Sequence, residues 1–493
     1  MIPVTVREVV ALLGARASGA PEALDRTLTG LTVDSRRAGP GTLFLALPGE
    51  HVDGHDYVAA AFAAGAAAAL TARDVPGAPG PCLVVDDALV AAGRLARDQV
   101  ERGVAGRLRV AALTGSAGKT STKDLLAHLL EAAGPTVAPV GNLNNELGVP
   151  LTVCRIDEDT AYLVAEMGAR GIGHIAYLCT IAPPRVAAVL NVGTAHVGEF
   201  GGRAQIAVAK GEIVEALPAD GTAVLNADDP LVWAMRTRTA ARVVATGAGA
   251  EPSHENAVWA TDVAADAFGR CRFTLAEKWS GEVVGDPVEI RLGLSGHHQV
   301  ANAVAAVAVA RALGVERSVL VGALPSARPR SRWRMELTER RDGVLVVNDA
   351  YNANPESMRA ALDTVGAVVA ERAGEGAVGW AVLGDMLELG DSAAVEHRAL
   401  GAYASRHGIT RLVAVGGFAD EVVAGAAETG GTQVTAVVAA DSDDAVRRVL
   451  AGLAPGDVIL VKASRGLALD TVAAALVAAD PVRRVDEQGE VSA

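Results

Sequence analysis

The chain has 493 residues, which is too long for one ordinary hydrophobic core, so we expect two to four domains. Its formal net charge of −14 argues against a general nucleic-acid binder, and any phosphate site must therefore be local. The four cysteines (Cys82, Cys154, Cys179 and Cys271) have no metal-ligand spacing, which indicates reduced thiols in a cytoplasmic protein.

The sequence predicts neither a secretion signal at the start of the chain nor a membrane span in its most alanine-rich stretch. "MIPVTVREVVALLG" has no basic residues followed by a long apolar run, so we expect no signal peptide. The most alanine-rich stretch, "YVAAAFAAGAAAALTAR" from Tyr57, is shorter than a membrane span and is interrupted by Gly65. We interpret it as a buried or amphipathic helix.

Short apolar runs alternate with helical patterns along the chain, which predicts an α/β fold. Two breaks divide it: the polar segment around Glu101 to Arg109, and the Pro- and Arg-rich segment Leu324 to Arg334. We predict three domains: a small N-terminal α/β domain (1–106), a central P-loop-type domain with a mostly parallel sheet (107–327), and a C-terminal Rossmann-like α/β domain (328–493). The predicted strands, in chain order, are "LTVDS", "LFLAL", "RLRVAALT", "AYLVAEM", "VAAVLNV", "TAVLNA", "RVVAT", "GVLVVNDA", "GWAVLGD", "RLVAVGG" and "DVILVKAS".

The stretch "TGSAGKT" has the context of a phosphate-binding loop. It follows an apolar run and opens a helix whose leucines, from Leu125 to Leu130, recur at helical spacing. Its glycines allow a tight turn with N–H groups aimed at a phosphate, a lysine supplies positive charge, and a threonine can bind Mg²⁺. The alternative is a glycine-rich turn with a solvated lysine. The predicted nucleotide contacts are Thr114, Gly115, Ser116, Ala117, Gly118, Lys119, Thr120 and Ser121.

Polar side chains also follow other predicted strands of the central domain. Ligands bind at the carboxyl ends of strands in open parallel sheets, so these side chains are expected to share a site with the loop. They are Glu166, Asn191, His196, Asn226 and Asp228, with Asn142 and Asn145 in "GNLNNELGVPLT". Glu166 and His196 are the candidate metal ligands. We interpret Asn144 and Asp229 as ordinary turn residues.

The last predicted domain carries its own polar cluster. In "VVNDAYNANPES", Asn354 is expected to cap a helix that begins at Pro355, which leaves Asp349, Tyr351 and Asn352 unexplained by capping. Further candidates follow the next strands: Asp385, Glu388, Lys462, Ser464 and Arg465. Arg332 and Arg334, at the domain junction, either reach a phosphate across a cleft or belong to a solvated linker.

In order, the motifs TGSAGKT, AEMGA, NVGTAHVGEF, AKGEI, LNADDP, DAYNANP, GDMLELG and VKASRG resemble the Mur ligases over almost the whole chain. DAYNANP and GNLNNELGVPLT resemble the members that add D-alanyl-D-alanine to UDP-N-acetylmuramoyl-tripeptide, and the DNPR motif of the diaminopimelate-adding members is absent. The resemblance implies an ATP-dependent ligase that forms an acyl phosphate in peptidoglycan precursor synthesis. It implies a cytoplasmic monomer that binds neither nucleic acid nor membrane and serves cell-wall biogenesis, cell shape and the division cycle.

The resemblance also implies roles for individual residues. Lys119 and Thr120 would hold the ATP phosphates and one Mg²⁺ with Glu166, while His196 and a carbamylated Lys210 would serve a second Mg²⁺. Lys119, His196 and Lys210 are thus the catalytic candidates. Asn302 would approach the adenine, and Arg332 and Asp349 would reach the ATP from the last domain, whereas His298 is left unassigned. The implied substrate contacts are Ser35 for the UDP-sugar, Asn142 and Asn145 for the muramoyl peptide, and Asn352, Asp385, Lys462, Ser464 and Arg465 in the last domain.

Two alternatives stay open on the sequence. A related Mur-type or folylpolyglutamate-type ligase would add another amino acid, against which DAYNANP argues. An ATP-hydrolysing switch on the same fold would need no ligase site, against which the intact Lys119, Glu166, His196 and Lys210 argue.

Overall fold

A computed structural model describes residues 1–18, 21–49, 52–193, 200–428 and 434–482. Its strands fall into one sheet of ten strands, one of six, one of five and one of two. No helix within the described ranges is both long and apolar enough to cross a bilayer. The four cysteines, all inside those ranges, are buried and free, as predicted for reduced thiols.

The first part of the chain forms a small α/β unit. A two-stranded pair (β1-β3) lies beside a five-stranded sheet in the order β2-β7-β6-β5-β4. The strands are β1 (Val4–Thr5), β2 (Arg16–Ala17), β3 (Thr27–Leu28), β4 (Gly30–Thr32), β5 (Thr42–Leu45), β6 (Ala68–Thr71) and β7 (Cys82–Val84). The α-helices are Val6–Leu13, Val58–Ala63 and Ala88–Gly106, with 3-10 turns at Pro21–Asp25, Ser35–Arg37 and Gly54–Tyr57.

One local prediction in this unit was wrong. The alanine-rich stretch is helical only over Val58–Ala63, because Gly65 turns the chain with a φ of 107° and Ala68–Thr71 then forms β6. That strand lies between two parallel neighbours, where small apolar side chains are buried on both faces. The polar segment around Glu101 to Arg109 is helical as far as Gly106, and the domain boundary predicted there stays a prediction.

The central sheet has the order β16-β15-β14-β13-β12-β11-β8-β10-β9, with β17 paired to β15. All pairs from β9 to β14 are parallel, and β15, β16 and β17 add an antiparallel extension. The strands are β8 (Arg109–Thr114), β9 (Thr136–Val137), β10 (Tyr162–Glu166), β11 (Val186–Val189), β12 (Thr222–Asn226), β13 (Arg242–Ala248), β14 (Ala257–Ala265), β15 (Arg270–Trp279), β16 (Glu282–Val283) and β17 (Val288–Ser295). A mostly parallel central sheet is therefore confirmed.

Helices cover both faces of the central sheet. The helix that follows the phosphate-binding loop packs with His298–Ala312 on one face, and Leu125, Leu126, Leu129 and Leu130 are buried there, as the sequence predicted. The helices of this region are Lys119–Glu131, Gly148–Val153, His174–Ile181, Arg203–Glu215, Pro230–Trp233, His298–Ala312 and Arg317–Ala323, with 3-10 turns at Ala234–Arg238 and Leu324–Ser326.

The last sheet has the order β18-β19-β23-β20-β21-β22 and is parallel except for β18. Its strands are β18 (Glu336–Glu339), β19 (Leu345–Asn348), β20 (Gly379–Gly384), β21 (Ile409–Val415), β22 (Thr435–Ala439) and β23 (Val458–Lys462). The helices are Pro355–Glu371, Ala393–Arg406, Ala419–Ala427, Ser442–Leu450 and Asp470–Ala478, with 3-10 turns at Ala373–Glu375, Gly390–Ser392 and Arg465–Leu467. Asn354 caps the first helix through the Ser357 N–H, as predicted. The three-domain α/β architecture is confirmed, whereas the domain boundaries stay predictions.

Candidate functional site

Asn191, which follows β11, fixes the phosphate-binding loop between β8 and helix Lys119–Glu131. The Asn191 side chain accepts the Ala117 N–H at 2.8 Å and donates to the Ala117 carbonyl at 3.0 Å. Gly118 has a φ of 78°, a conformation that glycine adopts without a steric penalty. Ser116 Oγ accepts the Gly193 N–H at 2.9 Å, and Thr114 ends the strand with a buried hydroxyl. The loop is thus fixed before any ligand binds.

Lys119 lies at the first turn of the helix and folds back over the loop. Its ammonium donates to the Gly115 carbonyl at 2.7 Å. Burial lowers the pKa of this lysine, and the nearby Arg334 adds to that effect while the Glu166 charge opposes it. The ammonium therefore lies against the loop at the start of a helix, which is the end whose N–H groups can bind a phosphate.

Glu166, at the end of β10, is fully buried beside the loop. Its Oε1 accepts from Asn144 Nδ2 at 2.8 Å and from Thr120 Oγ1 at 3.4 Å. Its Oε2 is buried and has no hydrogen-bond partner among the described residues. A buried carboxylate oxygen left open beside a threonine hydroxyl fits a hard divalent cation, which prefers oxygen ligands.

Asn144 is a site residue that the sequence interpretation missed. We interpret it from the sequence as a turn residue, but its side-chain amide orients the Glu166 carboxylate. Its backbone carbonyl accepts the Gly168 N–H at 2.8 Å. Its neighbours Asn142 and Asn145 were the predicted contacts. Asn142 is exposed, and Asn145 accepts the Gly148 N–H at 2.8 Å. The sequence signal for this part of the site was three asparagines within four positions. Nothing in the sequence showed which of the three contacts Glu166.

Lys210 lies on helix Arg203–Glu215, with only 6% of its surface exposed. Within the described ranges, the side-chain ammonium of this lysine has no hydrogen bond or ion pair. Burial lowers its pKa well below the usual value, and the positive charge of Lys119 contributes in the same direction. His196, the other predicted ligand of the second metal, lies outside the described residues.

The arginine that faces the loop is Arg334 rather than Arg332. Arg334 Nη2 lies 3.4 Å from Thr120 Oγ1, and its buried Nε has no partner in the described parts of the chain. Arg332 is exposed and lines neither of the clefts described below. The sequence placed both at the junction, but it could not show which of the two side chains points inward.

Asp349 and Lys462 form a buried ion pair between the ends of β19 and β23. Lys462 Nζ lies 2.5 Å from Asp349 Oδ2 and donates to the Asn352 carbonyl at 2.8 Å. Asp349 Oδ1 accepts the Met335 N–H at 3.0 Å. Burial lowers the pKa of Lys462, and the Asp349 carboxylate opposes that shift. Lys462 therefore holds Asp349 in place, and its predicted contact with substrate stays a prediction.

A cleft of about 580 Å³ joins the loop to the last domain. Its lining includes Ala117, Gly118, Ser121, Asn191, His298, Asn302, Arg334, Asp349 and Lys462. Asn302 packs against Gly118 so closely that a Cβ there would lie 2.6 Å from its Oδ1. Burial lowers the pKa of His298 from 6.5 to about 4, so this imidazole is neutral at pH 7. Of the predicted nucleotide contacts, the cleft lining contains Ala117, Gly118, Ser121, Asn302 and Asp349, whereas Thr114, Gly115, Ser116, Lys119, Thr120 and Arg332 are not part of it.

A second cleft, of about 230 Å³, lies entirely within the last domain and is called the last-domain pocket below. It is lined by Asn352, Ala353, Asn354, Leu387, Glu388, Leu389, Ser464, Arg465 and Gly466. Ser464 Oγ accepts the Leu387 N–H at 3.0 Å, which ties two of its walls together. The pocket thus gathers three of the five predicted substrate contacts of this domain.

Asp385 and Ser35 lie elsewhere. The Asp385 carboxylate accepts the N–H groups of Gly417 and Phe418 at 2.8 and 3.0 Å, so it fixes the turn after β21 and does not face the last-domain pocket. Ser35 is half-buried at the start of a 3-10 turn in the first domain. Neither residue lines the two clefts described above.

Three segments of the chain match models of one family. Residues 113–310 match the Mur ligase middle domain, 333–465 the Mur ligase glutamate ligase domain, and 27–101 the Mur ligase family catalytic domain. Among curated proteins, the chain is 46% identical to the UDP-N-acetylmuramoyl-tripeptide--D-alanyl-D-alanine ligase of Mycobacterium bovis, over 97% of this chain and 99% of the relative. It is 35% identical to the ligase of the same name from Escherichia coli, with the same coverage.

Solved structures agree with these matches. The crystal structure of MurF from Acinetobacter baumannii superposes with a TM-score of 0.83 at 32% identity, over 96% of this chain and 99% of that one. The MurF ligase from Thermotoga maritima in complex with ADP superposes with a TM-score of 0.74 at 26% identity, over 93% and 98% of the two chains.

Proposed function

The chain belongs to the Mur ligase family, and we propose that it uses the two clefts to join D-alanyl-D-alanine to UDP-N-acetylmuramoyl-tripeptide. It is an ATP-dependent peptide ligase of peptidoglycan precursor synthesis. The observation that carries this function is the 46% identity to a D-alanyl-D-alanine-adding ligase over 97% of the chain. We further propose that it acts in the cytoplasm as a monomer, with domain boundaries near residues 106 and 327, and thereby serves cell shape and division.

The ATP phosphates are assigned to the phosphate-binding loop between β8 and helix Lys119–Glu131. The relative from Thermotoga maritima was crystallised with ADP, which supports nucleotide binding on this fold. Lys119 would exchange its bond to the Gly115 carbonyl for the phosphate oxygens, and Arg334, whose Nη2 lies 3.4 Å from Thr120 Oγ1, would approach the same phosphates. Two cations beside the transferred phosphoryl group stabilise the charge that develops there. In the same cleft, Asn302 would contact the adenine and Asp349 would complete the last-domain wall.

The residues present fit one Mg²⁺ at Glu166 and Thr120, because Glu166 Oε2 is buried and open beside the threonine hydroxyl. When bound, Mg²⁺ supplies charge neutralisation for the phosphates. A second Mg²⁺ is assigned to His196 and Lys210. The buried, unpaired Lys210 amine can add CO₂ and lose a proton, and the resulting carbamate turns a cation into an anionic oxygen ligand.

The chemistry requires activation of the tripeptide carboxylate, since a carboxylate oxygen is a poor leaving group. Its oxygen attacks the γ-phosphorus of ATP, ADP leaves, and an acyl phosphate forms. The amine of D-alanyl-D-alanine then attacks the acyl carbon, and phosphate leaves as the amide forms. Lys119 and Arg334 stabilise the negative charge, and closure of the cleft between the central and last domains keeps water from the acyl phosphate.

The last-domain pocket is assigned to the dipeptide. Its size suits a small zwitterion, and Arg465 offers a guanidinium for the carboxylate end. Asn352 and Ser464 complete the polar wall, Lys462 donates to the Asn352 carbonyl, and Asp385 fixes the turn after β21. Ser35 is assigned to the UDP-sugar, and Asn142 and Asn145 to the path of the muramoyl peptide.

Phosphate release tests the assignment against an ATP-hydrolysing switch. The ligase should release phosphate only when both UDP-N-acetylmuramoyl-tripeptide and D-alanyl-D-alanine are present. Hydrolysis at the same rate without either one would favour the switch. Tripeptides with different diamino acids at the third position, compared by product mass, identify the natural donor.

A further inference from the structure

Four side chains of the last domain form a continuous stack. The Arg465 guanidinium lies 4.2 Å from the centre of the Trp333 ring. Trp333 and Tyr351 have ring centres 6.4 Å apart and planes inclined by 28°. Arg334 lies 4.3 Å from the centre of the Tyr351 ring. Each contact is of the cation–π or stacked aromatic kind, so the position of every member depends on its neighbour.

The two ends of the stack lie in different clefts. Arg465 lines the last-domain pocket, where its guanidinium is also paired with Asp470 at 2.5 Å. Arg334, at the other end, reaches Thr120 of the phosphate-binding loop at 3.4 Å. The stack therefore runs from the last-domain pocket, which is assigned to the dipeptide, to the phosphate-binding loop, which is assigned to ATP.

The backbone that carries Trp333 is held in an unfavourable conformation. Trp333 has a φ of 58° and Met335 a φ of 48°, both in the left-handed region that non-glycine residues seldom adopt. Three hydrogen bonds hold this segment: Tyr351 N–H donates to the Trp333 carbonyl at 3.2 Å, Met335 N–H donates to Asp349 Oδ1 at 3.0 Å, and Trp333 N–H donates to Glu336 Oε2 at 3.1 Å. Such conformations persist where the surrounding structure fixes them, often at functional sites.

We propose that Trp333 is a positioning residue that aligns Arg465 for the dipeptide and Arg334 for phosphoryl transfer. This inference rests on the proposed function. A dipeptide carboxylate on Arg465 fixes that guanidinium against the Trp333 ring, the ring fixes Tyr351, and Tyr351 fixes Arg334 beside Thr120. Because coupling between two binding sites is reciprocal, loss of Arg334 also weakens dipeptide binding.

The experiment compares Trp333→Ala with Trp333→Phe by steady-state kinetics, with ATP and UDP-N-acetylmuramoyl-tripeptide saturating. Trp333→Ala should lower kcat about a hundredfold, as expected for misplacement of a charge-stabilising group, and raise the KM for D-alanyl-D-alanine about tenfold. The KM for the UDP-tripeptide should not change. Trp333→Phe keeps a ring between the two neighbours and should recover most of both parameters.

Two further variants separate the stack from folding and from backbone strain. Trp333→Gly relieves the left-handed conformation but removes the ring, so it should behave like Trp333→Ala. Trp279→Ala is the matched control, since it removes a ring under Arg311, at 5.9 Å, in the antiparallel extension of the central sheet. It should leave kcat unchanged.

The inference is overturned if folded Trp333→Ala stays within about threefold of wild-type kcat, or if Trp333→Phe is no better than Trp333→Ala. A double-mutant cycle with Arg334→Met and Arg465→Met leaves Trp333 in place and decides the case should Trp333→Ala not fold. If the double variant loses less activity than the product of the two single fold-losses, the two arginines are coupled and the stack is supported. If the double variant loses the full product, the two arginines act independently and the stack is contradicted. A wild-type protein that does not ligate the dipeptide overturns the proposed function instead, and this inference with it.

Discussion

Replacing Lys462 by methionine should destabilise the last domain strongly. The Lys462 and Asp349 side chains are 2% and 10% exposed, and their charged atoms lie 2.5 Å apart. Methionine keeps most of the lysine stem but removes the cation, along with its bond to the Asn352 carbonyl. The Asp349 carboxylate is then buried without its counter-ion, which costs about 3–5 kcal/mol of unfolding free energy.

The double variant Lys462→Met/Asp349→Asn is the matched control. The asparagine oxygen can still accept the Met335 N–H, but the buried charge is gone. We therefore expect the double variant to recover at least half of the loss, because most of the cost comes from the uncompensated carboxylate.

The assay is hydrogen exchange of the backbone amides in β19 (Leu345–Asn348) and β23 (Val458–Lys462), read by mass spectrometry. Exchange reports the local opening free energy of these strands without assuming that the three domains unfold together. The account of this ion pair would be refuted if Lys462→Met lowered the opening free energy of these strands by less than about 1 kcal/mol. It would also be refuted if the double variant were no more stable than Lys462→Met.

Four other substitutions test the central site. Lys119→Ala should abolish ligation and leave the melting temperature nearly unchanged in a thermal scan, because its ammonium bonds the carbonyls of its own loop. Glu166→Gln should lower kcat roughly a hundredfold and raise the Mg²⁺ concentration needed for half-maximal activity, while stabilising the ligand-free protein because it removes a buried, partly unpaired charge. Lys210→Ala should lower turnover roughly a hundredfold or more, with partial rescue by a short carboxylic acid; near-normal turnover would remove the metal role. For His298 the folded pKa of about 4 lies below the unfolded 6.5, so stability is lost as pH falls from 6.5 toward 4; urea unfolding of wild type should show a loss of about 2 kcal/mol between pH 7 and pH 5 that His298→Gln lacks.

Much of the fold follows from local patterns in the sequence. Every predicted strand coincides with an observed one, because short apolar runs bounded by polar turns leave few alternatives in a parallel sheet. The helix after the phosphate-binding loop was equally clear, since its leucines repeat at helical spacing. The alanine-rich stretch failed because alanine fits both a helix and a buried strand, and only the left-handed turn at Gly65 separates the two.

The site was harder to predict because inward-facing and outward-facing side chains alternate within a few residues. Arg332 and Arg334 differ by two positions, yet the backbone turns at Trp333 and Met335 bring only Arg334 to Thr120. The same holds for Asn144, whose side-chain amide orients Glu166, whereas no hydrogen bond from Asn142 or Asn145 to Glu166 is found in the described part of the chain. Local sequence indicates which segments meet, whereas backbone turns decide which side chain enters the site.

The most direct test of the central claim is the mass of the product formed from UDP-N-acetylmuramoyl-tripeptide, ATP and a mixture of acceptors. The mixture contains D-alanyl-D-alanine, free diaminopimelate and free lysine at equal concentration. We predict that the main product carries the mass of the added D,D-dipeptide, with one phosphate released for each amide formed. Faster addition of either free amino acid, or phosphate release without product, would contradict the assignment of this chain as a D-alanyl-D-alanine-adding ligase.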